Sequence, residues 1–141
     1  MGKYKLYNEN TSIPSQLSDV EVLYMVKNNE INSNHLVALK NETTFSDDEI
    51  SKWLNINVKT FRAYKKTSAL IKPDIQEHTI KLLSLIRHGT EVFGSVNAFS
   101  QWLNTNHLFL DFKKPADFLN TISGIKFIDN RLYGIEYGDN I

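Results

Sequence analysis

The side chains that could do chemistry in this 141-residue sequence are spread along the chain and do not converge on a catalytic pattern. No two histidines have the i, i+3 or i, i+4 spacing of helical metal ligands; they are His35, His78, His88 and His107. The six glycines are isolated, so no glycine-rich phosphate loop is present. Asp47 and Asp48 begin a predicted helix, where capping explains them better than acid–base catalysis. The sequence therefore predicts a protein that is not an enzyme, with no cofactor, no metal site and no small-molecule substrate.

The distribution of charge indicates a different chemistry, contact with phosphate groups. Residues 1–50 contain four lysines and eight acidic residues, whereas residues 57–72 contain five basic residues and no acidic residue. The formal charge of the whole chain is zero. A polyanionic partner would therefore be attracted by the local excess of basic residues over 57–72 and not by the net charge.

The basic run lies in the second of two short predicted helices. The pattern S-D-D-E that begins at Ser46 is a capping box, and it predicts a first helix that ends before Asn55. Asn55 tolerates the left-handed conformation of a tight turn, and Asn57 can cap a second helix over residues 58–66. In a helix-turn-helix the second helix would present these side chains to DNA: Lys59, Thr60, Arg62, Ala63, Lys65 and Lys66. An ordinary helical hairpin with a solvated basic face fits the same pattern.

A long central helix is predicted from Pro73 to Phe93, because apolar residues recur along it at helical spacing. Gly94 supplies the left-handed residue that closes it, and the serine that follows can cap the next helix. The next helix places four residues on one apolar face: Ala98, Phe99, Trp102 and Leu103. His78 and His88 are expected on the solvated flank of the long helix.

The C-terminal part combines aromatic residues with further helical patterns. Residues 108–112 read as extended or irregular, and Pro115 can begin a helix that Gly124 stops. A final helix is predicted from the spacing of Ile125, Ile128, Leu132 and Ile135. Large side chains close to the last residue would dock either on the domain itself or on a partner; they are Tyr133, Ile135, Tyr137 and Ile141.

Taken together, these patterns predict an all-α fold with a helix-turn-helix N-terminal part followed by a small helical domain. The predicted divisions are a flexible tail over residues 1–17, a helical region over 18–72 and a second helical region over 73–141. No cysteine is present, which excludes disulfides. No apolar run approaches the roughly 20 residues of a membrane span, and no signal peptide is visible, so a cytoplasmic protein is expected.

The sequence resembles the Xre/MbcA/ParS-type antitoxins, which are partners of RES-domain toxins. The resemblance covers about residues 20–141, and its most specific motifs are E-V-F-G at 91–94, A-x-x-x-W-L at 98–103, K-P-A-D-F-L at 114–119, the glycine at 124 and I-E-Y-G at 135–138. The N-terminal half matches in layout, from N-S-N-H-L-V-A-L through the two short helices. Asn55 stands where the family usually has glycine in the turn.

The resemblance implies a type II toxin–antitoxin function: a homodimer that blocks a NAD-consuming RES-domain toxin and represses its own operon by binding operator DNA. It implies that the C-terminal domain covers the toxin's cleft, through Arg131, Leu132, Ile135, Glu136, Tyr137 and Gly138. Val22, Leu23 and Val26 are the predicted dimer contact. The alternative hypothesis is a stand-alone helix-turn-helix transcriptional regulator whose C-terminal lobe only dimerises it.

Overall fold

The structure is a computed structural model, and it describes residues 11–67 and 70–138. Seven α-helices and two 3-10 segments occur in these ranges. In chain order they are α1 (Asp19–Lys27), α2 (Ser33–Asn41), α3 (Asp47–Trp53), α4 (Val58–Lys66), α5 (Pro73–Phe93), α6 (Val96–Leu103), the 3-10 segments Leu108–Leu110 and Pro115–Phe118, and α7 (Ile122–Glu136). Within the described residues the only β-type pairing is an isolated bridge between His107 and Lys113, so the predicted all-α class is confirmed.

Local capping fixes where most of these helices begin. Ser46 forms a complete capping box with Glu49, as the sequence predicts, and Ser18 forms one with Glu21. The side chain of Asn57 accepts hydrogen bonds from the first backbone amides of α4. These side chains satisfy amides that would otherwise lack partners, so each short helix starts at a defined residue.

Two left-handed residues set the direction of the chain between helices. Gly94 closes α5 with a φ of 88°, and Ser95 caps α6 through the amide of Ala98. Asn55 has a φ of 57° in the turn between α3 and α4, which confirms its predicted conformation. Its side-chain amide also donates to the carbonyl oxygen of Asn120 at 2.8 Å, a contact that joins the turn to the C-terminal part.

Helix α5 is the centre of the molecule, and α1, α2, α6 and α7 all pack against it. One continuous core includes residues from both predicted helical regions, such as Leu36 and Ile50 on one side and Ile128 on the other. The prediction that His78 and His88 lie on a solvated flank was wrong, because both are buried in α5. Their ring nitrogens reach polar partners on the C-terminal segments, which makes burial possible.

The predicted helix from Pro115 to the glycine at 124 was also wrong in its boundaries. The chain forms only a short 3-10 segment from Pro115, and Thr121 then caps α7 by accepting a hydrogen bond from the amide of Gly124. Gly124 lies inside the first turn of α7 and does not end a helix. A Cβ there would lie 1.8 Å from the carbonyl oxygen of Phe118, so the glycine permits close backbone contact.

Part of the segment predicted as a flexible tail, residues 1–17, packs against the rest of the protein. Residues 1–10 lie outside the described residues, but Thr11 and Ile13 are buried. The guanidinium of Arg87 donates to the carbonyl oxygens of both residues and forms a two-point ion pair with Glu42. This paired guanidinium holds residues 11–13 against α5.

Residues 108–112 form a 3-10 turn followed by irregular backbone, in agreement with the irregular segment predicted there. Asp111 and Phe112 both have positive φ angles, 54° and 62°, after the 3-10 turn Leu108–Leu110. Hydrogen bonds between His107 and the backbone around Phe112 brace this loop. No helix within the described ranges has the length and apolarity needed to cross a membrane.

Candidate functional site

The basic helix α4 lies on the surface beside α3, and its cations divide into two groups. Lys59 and Lys66 are exposed and carry no ion pair among the described residues. Arg62 and Lys65 both bind one carboxylate, that of Asp47 on α3, at 3.1 and 2.8 Å. The hydrogen bond from Lys65 is the largest effect on the pKa of Asp47; burial opposes it, and the hydrogen bond from Arg62 adds to it, so that the pKa lies below its usual range.

The remaining α4 residues in the predicted DNA-facing set occupy different positions. Ala63 is exposed and Thr60 is half-buried, while Lys65 is half-buried with its ammonium 5.0 Å from the ring centre of Phe61. Phe61 itself is fully buried and anchors α4 to the core. The surface therefore offers Lys59 and Lys66 directly, whereas Arg62 and Lys65 are partly neutralised by Asp47.

The residues predicted to contact a partner lie in the last two turns of α7 and directly after it, and they differ in exposure. Leu132 is fully buried, so it belongs to the core and its side chain is not available to a partner. Ile135 is half-buried against the core. Tyr137 is 78% exposed, and the amide of Gly138, whose φ is 93°, donates to the carbonyl oxygen of Ile135. Ile141 lies outside the described residues.

Arg131 and Glu136, the other two residues of that set, have partners within the chain. The guanidinium of Arg131 lies 4.5 Å from the ring centre of Phe109, in the first 3-10 segment. The carboxylate of Glu136 lies 2.9 Å from Nε2 of His88. Arg131 therefore presents a stacked cation, while Glu136 is tied back to α5.

Sequence reasoning missed the site that His88 forms with α7. Nδ1 of His88 lies 2.6 Å from a carboxylate oxygen of Asp129, and its ring packs on Tyr133 with the centroids 4.4 Å apart. Asp129, Tyr133 and Glu136 follow each other at i, i+4 and i+7, so they share one face of α7. That spacing was visible in the sequence, but nothing local showed that a histidine 41 residues earlier would meet it.

A group of apolar side chains on α1 is exposed although the helix is well packed on its other side. Val22 is buried and forms part of the core, which removes it from the predicted dimer contact. Val20, Leu23 and Tyr24 are between 61 and 65% exposed. Among the described residues, no group of histidine and acidic side chains is placed to hold a metal ion.

Comparison with known proteins gives a match for the C-terminal part of the chain. No curated protein matches the chain. Residues 88–138 match a family described as the antitoxin Xre/MbcA/ParS C-terminal toxin-binding domain. The match begins at His88 and ends just after Tyr137, so it includes the end of α5, the aromatic α6, the braced loop and α7. The C-terminal part of this chain, over residues 88–138, thus carries a domain of the Xre/MbcA/ParS toxin-binding type, which supports an antitoxin role.

Proposed function

We propose that the protein is the antitoxin of a type II system, which binds and blocks a NAD-consuming RES-domain toxin and represses its own operon. The observation that supports this proposal best is the position of Tyr137. This large aromatic side chain is exposed immediately after α7, at the end of the segment that matches the toxin-binding family. Exposed aromatic groups on a rigid support are the residues that most often anchor protein interfaces.

The proposed toxin contact consists of side chains at the end of α7 that are exposed or partly exposed. Tyr137 is its anchor, Ile135 extends the apolar surface and Arg131 supplies a cation held over Phe109. The turn at Gly138 follows them. Leu132 is left out because it is buried, and Glu136 because His88 holds it. An apolar anchor with a polar neighbour is suited to filling a cleft while fixing orientation.

Replacing Tyr137 by alanine tests this proposal. We expect the Kd for a cognate RES-domain toxin to rise about 30-fold or more, since an interface anchor contributes roughly 2 kcal/mol or more. The helical content and unfolding temperature should stay unchanged, because the side chain is exposed. Titration calorimetry and rescue of toxin-expressing cells measure the loss. A deletion from Leu132 onward is unsuitable, because it removes a core residue.

The matched control is Leu70→Ala, which also removes an exposed apolar side chain but lies outside the matched segment. It should bind and neutralise like the unmodified protein. Unchanged affinity of Tyr137→Ala would refute the assignment of the anchor. A protein that binds no neighbouring toxin but still binds upstream DNA would instead favour the alternative, a stand-alone regulator with a C-terminal dimerisation lobe.

We further propose that α4 contacts operator DNA, with Asp47 limiting its affinity. Asp47 neutralises two of the cations on or beside the exposed face of α4, Arg62 and Lys65. Asp47→Asn should therefore strengthen binding to the upstream DNA by about tenfold at low salt and make binding more salt-dependent, because more cations meet phosphates. Lys66→Ala should weaken binding. Gel-shift titration at two stated salt concentrations measures both effects.

Asp48→Asn is the control for this substitution, because it removes an equal charge from the next residue of the same helix. If both variants strengthen binding equally, the effect comes from net charge and not from release of Arg62 and Lys65. If neither variant nor the unmodified protein shifts the DNA, the helix-turn-helix assignment fails and the α3–α4 unit is a structural hairpin.

The exposed face of α1 is the surface proposed for homodimer formation. Val20, Leu23 and Tyr24 form an apolar set on one side of this helix, while Val22 on the other side packs on the core. Paired apolar helix faces of this kind bury surface that a monomer would leave in water. Leu23→Asp should convert a dimer into a folded monomer in light-scattering measurements, and an unchanged mass would exclude this surface.

A further inference from the structure

The bridge from His88 to α7 connects the two ends of the toxin-binding segment. His88 is its first residue, and Glu136 is two residues before its last. Only 1% of His88 is exposed, whereas the side chains of Asp129 and Glu136 are 29 and 35% exposed. The imidazole is thus enclosed, and its two carboxylate partners stand at the boundary with water.

The geometry of the bridge determines the protonation state that it requires. Nδ1 of His88 faces an oxygen of Asp129 at 2.6 Å, and Nε2 faces an oxygen of Glu136 at 2.9 Å. Ionised carboxylates only accept hydrogen bonds, so both ring nitrogens must donate. A neutral imidazole donates through one nitrogen only, and it would turn a lone pair toward the other carboxylate. The complete bridge is therefore an imidazolium between two carboxylates.

We propose that His88 is a positioning residue for the toxin-contact surface: its imidazolium holds the last turn of α7 against α5, and loss of its proton releases that turn. The consequence for binding rests on the proposed function, because Ile135 and Tyr137 belong to or follow directly on that turn. Asp129 holds the ring from about two turns before Glu136, so the bridge spans the C-terminal half of the helix.

The other charged groups around α5 do not replace this bridge. On α7 the ring meets Asp129, Glu136 and the aromatic ring of Tyr133, whose hydroxyl pKa is raised by burial and by the two carboxylates. Helix α6 contributes no ionisable side chain. Two acidic residues at the ends of α1 and α2 form ion pairs with basic residues of α5. Asp19 pairs with Lys81, and Glu42 pairs with Arg87.

The direction of the pH effect follows from these contacts. Burial of the His88 ring opposes its charge, but the hydrogen bonds and charges of Glu136 and Asp129 outweigh burial and raise its pKa. A group whose pKa is raised by folding stabilises the fold fully below its unfolded value of about 6.5. That contribution is lost as the pH rises through the raised pKa. The last turn of α7 should therefore loosen as the pH rises above 6.5 and through the raised pKa of His88.

The test combines imidazole titration with amide exchange on the purified full-length protein. Nitrogen-15 NMR of the His88 ring should show a titration midpoint above pH 6.5, so that the imidazolium is the main form at pH 6.5. Protection factors of residues 133–137 should fall as His88 titrates, by about tenfold for each unit by which its pKa is raised. A neutral His88 ring at pH 6.5 would overturn the proposal, as would protection that does not follow the titration.

Two carboxamide variants and one internal reference sharpen this experiment. Glu136→Gln and Asp129→Asn keep the shape of the bridge but remove one negative charge, so each should lower the pH at which His88 and the last turn change together. His78 is the reference, because burial lowers its pKa and its Nε2 bonds a backbone carbonyl. A variant that leaves the His88 midpoint in place would contradict the bridge.

Binding of the neighbouring RES-domain toxin at pH 6.5 and 8.5 forms a separate arm. Weaker binding at the higher pH in the unmodified protein, with a smaller change in Glu136→Gln, supports the positioning role. Equal binding at both values, measured where the turn has loosened, overturns that role. Absence of binding at every pH counts against the proposed toxin partner, while NMR and exchange still decide the bridge.

Discussion

Replacing Gly89 by alanine is expected to lower the free energy of unfolding by about 2–3 kcal/mol and the unfolding temperature by roughly 5–10 °C. In an unconstrained helix the same change would stabilise by about 1 kcal/mol, because alanine has the better helix propensity. Here a Cβ would lie 2.2–2.4 Å from three ring atoms of Phe99 on α6. Phe99 is 1% exposed and packs between Phe93 and Trp102, so its ring has little room to move.

A double-mutant cycle with Phe99→Leu identifies the cause. Phe99→Leu removes the ring atoms that meet the new Cβ, and by itself it should destabilise the protein through lost packing. In that background Gly89→Ala should cost little, so the two changes should couple by more than about 1 kcal/mol in denaturant unfolding. Additive effects would mean that contact with Phe99 is not the reason for glycine at this position.

Local patterns predicted several helix boundaries whose deciding atoms lie within a few residues of one another. Gly94 and Asn55 have the left-handed conformations expected of them, and Ser46 and Asn57 cap the helices that they precede. Each of these assignments depends on hydrogen bonds or steric limits close in sequence. For the same reason the end of α5 and the start of α6 could be placed without knowledge of the fold.

The wrong predictions concern residues whose roles are set by distant neighbours. The glycine at 124 resembles a helix stop in sequence. The structure instead requires glycine there because a Cβ would collide with the carbonyl oxygen of Phe118. His78 and His88 have polar side chains that suit a solvated flank, and only the folded chain shows their partners on the C-terminal segments. Leu132 lies among the tail residues in sequence, yet the turn of α7 directs it into the core.

Acid is expected to destabilise the protein through a buried histidine in the N-terminal half. Nδ1 of His35 accepts a hydrogen bond from the amide of Asn32 at 3.1 Å and so completes the cap of α2. Burial of the ring and then the positive charge of Arg87 lower the pKa of His35 to about 4. Protonation would remove the acceptor and place an unpaired charge in the core.

The sign of this effect is opposite to that of His88. The unfolded chain binds a proton on this histidine below pH of about 6.5, whereas the folded protein resists protonation until the pH is near 4. The contribution of neutral His35 to the free energy of unfolding is fully present above the unfolded pKa and is lost as the pH falls toward 4. At pH 5 the expected loss in the free energy of unfolding is about 2 kcal/mol from this group alone.

His35→Gln separates this titration from the others. Glutamine at the third position of a helix can accept the same capping hydrogen bond, but it does not titrate. Denaturant unfolding of this variant between pH 4.5 and 7.5 should show a smaller loss of stability in acid than the unmodified protein. A remaining slope is expected from His78, whose pKa burial also lowers. If His35→Gln leaves the acid slope unchanged, His35 is protonated in the folded protein and its capping bond is not what the unfolding experiment detects.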